Sequence, residues 1–340
     1  MIILAIETSC DDTCAAILQN DIVLSNVISS QTDLHKAWGG VVPDIAKRAH
    51  LERIMPVILT AMKRAKVTFD DVEIIAVTQG PGLAIALSVG VNTAKELAIK
   101  YKKKLVSVNH VEGHILSNFL KNKNGLPERK IEFPALCLTV SGGHTKIILI
   151  NKVGKYEVVG ETLDDAAGEA LDKAAKLLGL GYPGGPVLER LALQGKETLL
   201  KLPHPLADKK TLDYSFSGLK TSFYYQIKDW SKEKTSQNLG ALAYEFQESV
   251  FETLLRKYKL AIIKYQPKTL LASGGVLANL TLRKKLRQLA KEMKTPLFMP
   301  FKKELNTDNA AMIGMVGYFK ALKNEWADPK TLDRDPRVNF

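Results

Sequence analysis

Short apolar runs separated by polar turns dominate the start of the chain. The run Ile2 to Ile6 is apolar and β-branched, the polar segment Glu7 to Thr13 follows it, and Cys14 to Leu18 is apolar again. Two such runs around a polar turn predict a β-hairpin. A third run, Ile22 to Ser29, predicts a further strand beside it.

Apolar positions at helical spacing follow this hairpin and then alternate with short, continuously apolar runs. The first pattern predicts helices, and the second predicts buried strands. The predicted elements are a helix over 44–65, a strand over 74–78, a helix over 84–100, a strand over 105–108 and a helix that begins near His110. A Gly80-Pro81-Gly82 break predicts a tight turn between the first strand and the second helix.

The same order of elements returns after a polar linker over 121–132. The second half is predicted to contain strands over 135–140 and 146–150, and a strand over 269–272 that leads through a glycine turn directly into a helix over 278–291. A repeated order of elements indicates a duplicated architecture. We therefore expect an α/β protein with two similar lobes that face a cleft.

The composition indicates a folded protein with a basic surface. A length of 340 residues favours two domains over one. The formal net charge of +12, from 48 basic and 36 acidic residues, favours a polyanionic partner, with nucleic acid ahead of membrane. Charge alone leaves open the alternative of a lysine-rich surface that is only solvated.

Cysteine use and the first residues favour a cytoplasmic protein. Cys10, Cys14 and Cys137 are too few for a disulfide framework, so we expect free thiols in a reducing compartment. No basic residue precedes Lys36, so the basic segment that opens a signal peptide is missing. A Gly-Pro-Gly break interrupts the uncharged stretch 74–94, which does not suit a membrane span.

The segment His110-Val111-Glu112-Gly113-His114 is the sharpest chemical signal. Histidines at positions i and i+4 lie on one face of a helix, where both imidazoles can reach one metal ion. Two capping or surface histidines are the alternative. The segment differs from the zinc-protease motif, which places its glutamate directly after the first histidine. Glu112 is turned about 200° from His110, so it is poorly placed as a general base.

Glycine turns form the second signal. Ser141-Gly142-Gly143, Gly184-Gly185 and Ser273-Gly274-Gly275 follow or join predicted elements. Glycines let the backbone approach a phosphate closely, and a helix N-terminus favours anions. A tight turn is the simplest explanation for each segment alone, but the three together favour a nucleotide cleft.

Acidic residues form the third signal. Asp164, Asp165, Glu169 and Asp172 flank an alanine-rich helical segment, and Thr307-Asp308-Asn309 precedes an apolar helix that runs through Met315. Asp308 is either an N-terminal residue of that helix or a third metal ligand. Sequence spacing leaves both open.

Taken together, the motifs resemble those of the universal tRNA threonylcarbamoyltransferase (TsaD) family from residue 1 to about 320. The matching segments are 5–13 (Ala-Ile-Glu-Thr-Ser-Cys-Asp-Asp-Thr), 80–83, 110–114, 141–145, 164–169, 182–186 (Tyr-Pro-Gly-Gly-Pro), 216–220 (Phe-Ser-Gly-Leu-Lys), 273–276 with Asn279, and 307–309. Gly39-Gly40-Val41-Val42-Pro43 resembles the bacterial or organellar branch.

The resemblance implies the fold of actin, Hsp70 and sugar kinases, with two duplicated lobes of ribonuclease-H type. It implies an N-terminal lobe over 1–120 and about 305–330 that carries the metal-binding helix. It implies a C-terminal lobe over 130–304 with the glycine-rich turns, and a tail over 331–340. The implied reaction moves a threonylcarbamoyl group from threonylcarbamoyl-AMP to N6 of adenine 37 in tRNAs that read codons beginning with A, and releases AMP.

The resemblance also implies the residues of the site. The metal ligands would be His110, His114 and Asp308, holding one divalent ion per subunit, with Fe²⁺ expected ahead of Zn²⁺. The residues that match the family's substrate contacts are Thr139, Val140, Ser141, Gly142, Gly143, Asp172, Gly185 and Asn279, around an adenine nucleotide that is threonylcarbamoyl-AMP, ATP or ADP. We hypothesise that Asp11 helps take the N6 proton. Asp12 stands where bacterial members usually carry glutamate, so its role is less secure.

The implied partners are the anticodon loop of tRNA, a paralogous (TsaB-like) dimer partner and a small (TsaE-like) ATPase. A separate synthase would make the adenylate, and no membrane is involved. A metalloprotease, a sugar or acetate kinase of the same fold, and a non-catalytic scaffold remain as alternatives. The displaced Glu112 weakens the first. Glu7 and Ser141, which replace the kinases' aspartates, weaken the second, and the intact ligand set weakens the third.

Overall fold

The computed structural model describes residues 1–195, 198–207 and 210–339. The chain divides into two compact units, one made of residues 1–130 with those from 299 onward, and one made of residues 131–298. Each unit contains a five-stranded sheet. In the described part of the chain, no helix combines the length and the apolar character that crossing a bilayer requires.

The sheet of the first unit contains both antiparallel and parallel pairs. Its strands are β1 (Ile2–Glu7), β2 (Asp12–Gln19), β3 (Ile22–Ser30), β4 (Ile74–Gly80) and β5 (Lys104–Asn109). They lie in the order β3-β2-β1-β4-β5. The first three form an antiparallel meander, and β4 and β5 continue parallel to β1. The parallel strands therefore end at the same edge, where β1 leaves Glu7 and β5 leads into the two histidines.

Helices cover both faces of this sheet. They are α1 (Thr32–His35), α2 (Pro43–Ala65), α3 (Ala84–Lys100), α4 (His110–Leu116) and α11 (Ala310–Leu322). Leu4 and Ile6 share a core cluster with α2 and α3, whereas Ile3 and Ala5 face Gly317 and Gly314 of α11. Burial on both faces explains why β1 is continuously apolar instead of alternating.

The second unit repeats the order of the first. Its strands are β6 (Ala135–Val140), β7 (Thr145–Lys152), β8 (Lys155–Glu161), β9 (Thr269–Ser273) and β10 (Leu297–Phe298). They lie in the order β8-β7-β6-β9-β10, with an antiparallel meander followed by parallel strands. The duplicated α/β architecture predicted from the sequence is confirmed.

The helices of the second unit are α5 (Ala167–Leu177), α6 (Gly185–Ala192), α7 (Ser217–Ile227), α8 (Lys232–Gln237), α9 (Leu239–Tyr265) and α10 (Leu280–Glu292). The long helix α9 is tied to the sheet by Tyr258. Its buried hydroxyl is 2.8 Å from the Leu136 carbonyl oxygen and 3.1 Å from that of Leu271, on the neighbouring strands β6 and β9. A buried hydroxyl needs such partners to offset its lost hydration.

One predicted element boundary is wrong. The glycine turn after β9 does not lead directly into an α-helix, because a 3-10 turn over Gly275–Ala278 comes first. Helix α10 begins at Leu280, and the side chain of Asn279 caps it by accepting a hydrogen bond from the Leu282 amide. Gly274 has φ +98°, where a Cβ would overlap the Val140 carbonyl oxygen, so only glycine suits this position.

We predict that Gly314→Ala destabilises the protein by about 1–3 kcal/mol. A Cβ at position 314 would overlap the Leu18 side chain, so α11 must move away from the sheet. Gly40→Ala is the matched control, since no atom lies within 4 Å of its Cβ position. Urea unfolding followed by circular dichroism measures both, and equal midpoints would contradict the close packing of α11.

Candidate functional site

Helix α4 places both histidines in the interior of the first unit. The Asn109 side chain caps the helix by accepting hydrogen bonds from the Val111 and Glu112 amides at 2.9 and 3.2 Å. All seven helical residues are buried. A Cβ at Gly113 would lie 3.0 Å from Ile313 of α11. This glycine therefore lets α4 pack directly against the helix that follows Asp308.

His110, His114 and Asp308 form a compact cluster that could hold a metal ion. Their ligand atoms all lie within 4.8 Å of one another. Asp308 Oδ1 is 3.5 Å from His110 Nε2 and 3.3 Å from His114 Nε2. Asp308 precedes α11 in a turn, and Asn309 caps that helix. The carboxylate of Asp308 therefore faces the histidines instead of serving as the helix cap.

The spacing of these atoms fits a bound metal ion. Two ligand atoms at 2.0–2.1 Å from one ion with tetrahedral angles lie about 3.3 Å apart, close to both measured separations. Within the described residues, neither ring nitrogen of His114 has a hydrogen-bond partner. The approach of Asp308 to Nε2 is an ion-pair distance without hydrogen-bond geometry. A buried imidazole nitrogen without such a partner is expected where a metal ion completes the site.

Glu7 completes the cluster from the end of β1, and the sequence analysis missed this role. Its Oε2 is 3.0 Å from His110 Nδ1 and accepts a hydrogen bond from the Thr78 hydroxyl at 2.6 Å. Its Oε1 accepts a hydrogen bond from the Ser9 amide. A carboxylate on Nδ1 fixes the imidazole tautomer and leaves the Nε2 lone pair free for a metal ion. An acidic residue at the end of a buried strand was the only signal in the sequence.

The charges within the cluster shift its pKa values in opposite directions. Burial raises the pKa of Glu7, but the charge and hydrogen bond of His110 outweigh it, so the net shift is downward. Burial also opposes protonation of His110, but Asp308 and Glu7 raise its pKa to about 9. Burial lowers the pKa of His114 and is the largest cause there. The metal-free cluster thus favours a charged Glu7–His110 pair beside a neutral His114.

A turn at the start of α3 packs against Ser9 and the end of the chain. The Leu83 amide donates to the Ser9 carbonyl oxygen at 2.8 Å, and the Ser9 hydroxyl is 3.1 Å from His110 Nδ1. On its other side, the Gln79 carbonyl accepts from the Asp335 amide at 2.8 Å. A Cβ at Gly80 would overlap the Asp335 carbonyl oxygen. The last described residues therefore support the turn beside the cluster.

The loop that carries Asp11 and Asp12 is held by backbone contacts. The Asp11 carbonyl accepts from the Gln31 amide at 3.0 Å. His50 bridges the loop, with Nε2 3.0 Å from the Cys10 carbonyl and Nδ1 2.8 Å from the Thr13 hydroxyl. These contacts leave the Asp11 carboxylate half-exposed. Burial is the largest cause that raises the pKa of Asp12, to about 7.

The predicted nucleotide residues of the second unit gather at the end of β6. Thr139 and Val140 are the last residues of the strand, and the Ser141 amide donates to the His144 carbonyl at 2.7 Å to close the turn. No atom lies within 4 Å of the Cβ positions of Gly142 and Gly143, so their backbone is open to a ligand. Thr139 is buried, with its hydroxyl 3.4 Å from that of Ser273, which leaves its backbone as the group for a ligand.

Two further predicted contacts are already engaged within the protein. Asp172 Oδ1 accepts from the Gly184 and Gly185 amides at 2.9 and 2.8 Å, which ties α5 to the start of α6. Asn279 donates through Nδ2 to Gln247 Oε1 at 2.8 Å while its Oδ1 caps α10. The amide of Asn279 is therefore held in one orientation, with one N–H left for another acceptor.

The Asp164–Glu169 segment has an internal structural role. Asp164 accepts from the Phe216 amide at 2.7 Å and from the hydroxyls of Ser215 and Ser217 at 2.6 and 2.8 Å. Asp165 pairs with Lys173 at 2.6 Å. These bonds attach the segment before α5 to the start of α7, so they position the helix that carries Asp172.

The sequence matches one protein family along most of its length. A family profile described as TsaD, tRNA N6-adenosine threonylcarbamoyltransferase, matches residues 22–315. A protein named tRNA N6-adenosine threonylcarbamoyltransferase from Syntrophomonas wolfei is 46% identical over 340 residues, covering 99% of this chain and 97% of that protein. These similarities extend over both units.

Solved structures share the fold at low sequence identity. The activator of 2-hydroxyisocaproyl-CoA dehydratase from Clostridium difficile, with bound ADPNP, aligns with a TM-score of 0.53 and 13% identity, over 95% of this chain and 96% of that one. A ROK hexokinase from Thermus thermophilus aligns with a TM-score of 0.50 and 14% identity, over 95% and 100% of the chains. The predicted sugar-kinase-like fold class is confirmed.

We predict that Glu7→Gln weakens binding of Fe²⁺ or Zn²⁺ by about 10–100-fold, the usual effect of removing a carboxylate that orients a ligating histidine. The change keeps the side-chain volume and removes the charge beside His110. Glu157→Gln, on an exposed position of β8, is the control. Isothermal titration calorimetry with the metal-free protein measures the affinity, and equal affinities for Glu7→Gln and wild type would refute the assigned role.

Proposed function

The chain belongs to the tRNA N6-adenosine threonylcarbamoyltransferase family and forms N6-threonylcarbamoyladenosine in tRNA, and we propose the details of that reaction here. The donor is threonylcarbamoyl-AMP, the acceptor is adenine 37 of tRNAs that read codons beginning with A, and AMP is released. The observation that carries the proposal is the buried cluster of His110, His114 and Asp308 in a chain with these relatives.

We assign His110 Nε2, His114 Nε2 and one Asp308 oxygen as the ligands of one divalent ion. Two histidines and one carboxylate suit both Fe²⁺ and Zn²⁺, and the same set with open positions is typical of non-haem iron sites. The ion would supply fixed positive charge for the negative charge that develops on the donor's carbonyl oxygen. Glu7 holds His110 in the tautomer that this assignment requires.

We place the adenylate at the end of β6 in the second unit. The open backbone of Ser141, Gly142 and Gly143 suits a phosphate group. Asn279 offers one oriented N–H to the nucleotide because Gln247 and the α10 cap occupy the rest of its amide. Asp172 shapes the Gly184-Gly185 turn through its two backbone hydrogen bonds. Val140 and Thr139 contribute backbone groups from the strand.

The transfer forms one bond and breaks one. The N6 amine attacks the carbonyl carbon of the donor, a C–N bond forms, and the C–O bond to the phosphate of AMP breaks with the electron pair leaving on AMP. One proton of the amine must leave, and we propose that Asp11 helps to take it. Its half-exposed carboxylate lies on a loop whose backbone is fixed by Gln31 and His50.

Neither a protease nor a kinase fits the geometry as well. Val111 occupies the position of the protease glutamate, and the side chain of Glu112 is buried in α4. A kinase of this fold would use a carboxylate in the strand turn of the first unit. Glu7, which stands there, is bonded to His110, Thr78 and the Ser9 amide.

The proposed partners follow from the family and from one exposed surface. Besides tRNA, we propose a paralogous TsaB-like subunit, a small TsaE-like ATPase, and a cytoplasmic location where a synthase supplies the adenylate. Leu51, Met55 and Leu59 recur every four residues on α2 and are 59%, 37% and 53% exposed. An apolar stripe of this kind is typical of helix-to-helix association, and we assign it to the paralogous subunit.

We predict that the protein with its partner subunits converts threonylcarbamoyl-AMP and unmodified tRNA into the modified nucleoside, and that His110→Ala loses this activity because one ligand is missing. Nucleoside mass spectrometry measures the product. His204→Ala, a half-exposed histidine of the second unit, is the control. No product from wild type with every partner combination would reject the transferase, whereas product from both wild type and His110→Ala would remove the metal from the mechanism.

The pH profile separates the two carboxylates of the loop. Because Asp12 has a pKa near 7, its negative charge appears as the pH rises through 7 and makes Asp11 more basic. We predict a wild-type rate that rises through pH 7, a flatter profile in Asp12→Asn, and a kcat about 10²–10⁴-fold lower in Asp11→Asn. Single-turnover rates between pH 5.5 and 8.5 measure this. An Asp11→Asn variant with wild-type kcat would show that Asp11 is not the base.

A further inference from the structure

Helix α10 carries a stripe of positive charge that the proposed reaction does not use. Arg283, Arg287 and Lys291 stand at positions i, i+4 and i+8, so they lie within an arc of about 80° and span about 12 Å along the helix. Lys294 follows just beyond the helix end. We call these four residues the α10 stripe.

The α10 stripe lacks the acidic partners that would neutralise it. Across the residues that the structure describes, its four members form no salt bridge. The salt bridges nearby join other cations, Lys285 to Glu248 at 2.6 Å and Lys259 to Glu292 at 2.5 Å. Like charges at i and i+4 repel each other and destabilise a helix. Burial and the charge of Arg287 both lower the pKa of Arg283, which reflects this repulsion.

Three members of the α10 stripe line a shallow groove. The groove has a volume of about 430 Å³ and is lined by Arg287, Lys291 and Lys294 together with Ala290, Thr295 and Leu297. The three cationic side chains are exposed. Cations that converge on a concave surface attract an anionic chain more strongly than the same charges on a flat surface.

The apolar face of α10 distinguishes between two anionic partners. A helix that binds a membrane surface must insert its apolar face among the lipids. Leu282, Leu286 and Leu289 are buried in the core of the second unit, at 0%, 1% and 6% exposure, so they are not available for insertion. A nucleic-acid backbone needs only the cations.

We propose that the α10 stripe binds phosphate groups of the tRNA substrate. This inference rests on the proposed function, since it adds a docking surface for the same substrate. The contacts are independent of base sequence and would hold the tRNA body while adenine 37 reacts. They contribute to affinity through released counterions, so their effect depends on salt concentration.

The salt dependence of tRNA binding tests this inference. The variant Arg287→Gln/Lys291→Gln/Lys294→Gln removes three charges from the groove. The control Lys152→Gln/Lys155→Gln/Lys176→Gln removes three charges from exposed positions elsewhere in the second unit. Fluorescence anisotropy with labelled tRNA, using the full chain with its partner subunits, gives the dissociation constant between 50 and 200 mM KCl. Circular dichroism confirms that both variants are folded.

We expect the slope of log K against log salt concentration to fall by about 0.7–0.9 for each lost phosphate contact in the groove variant, and to stay near wild type in the control. In the transfer assay, the groove variant should raise KM for tRNA and keep kcat. Equal slopes for wild type and the groove variant would overturn the proposal, and so would an equal loss in both variants, which would indicate only the overall charge.

Two further outcomes separate the surface from the chemistry. If wild type forms no modified nucleoside but the groove variant alone loses its salt-dependent binding, the proposed function fails and the docking surface stands. If tRNA binding is unchanged while binding to vesicles with 30% phosphatidylserine is lost in the groove variant, the surface is a membrane site and the proposal is overturned.

Discussion

The contact between the Glu7 carboxylate and His110 Nδ1, at 3.0 Å in a fully buried setting, is the interaction on which the site depends. A buried carboxylate is costly unless it is paired and hydrogen-bonded. Here the Thr78 hydroxyl and the Ser9 amide supply the remaining bonds. The sheet thus holds a fixed negative charge behind one histidine, and that charge orients the histidine toward His114 and Asp308.

The duplicated fold brings these groups together because parallel strands end at a common edge. Strand β1 delivers Glu7, β4 delivers Thr78, and β5 leads through the Asn109 cap into α4. The chain then forms the second unit before it returns to place Asp308 in front of α11. In the second unit, the corresponding edge carries glycine turns with open backbone in place of a buried carboxylate. One architecture therefore provides a charged cluster in one unit and a phosphate-suited backbone in the other.

Local pattern predicted much of this fold, because periodicity is a local property. The helix over Ala84–Lys100 and the strand over Ala135–Val140 have the predicted bounds. The pairing of Glu7 with His110 was not predictable, since it joins residues 103 positions apart through the register of three strands. The dual possibility for Asp308 ended only when Asn309 was found to cap α11. The direct helix start after Ser273 was wrong because the strained Gly274 backbone and the Asn279 cap impose a 3-10 turn first.

The central claim is that one metal ion sits between two histidines whose orientation is set by Glu7. A crystal structure of the Fe²⁺- or Zn²⁺-loaded protein, with anomalous diffraction at the metal edge, tests it most directly. The account predicts a single strong anomalous peak about 2.0–2.2 Å from His110 Nε2, His114 Nε2 and an Asp308 oxygen, with Glu7 still on His110 Nδ1. A peak bound through His110 Nδ1, or an ion held by other residues, would contradict it.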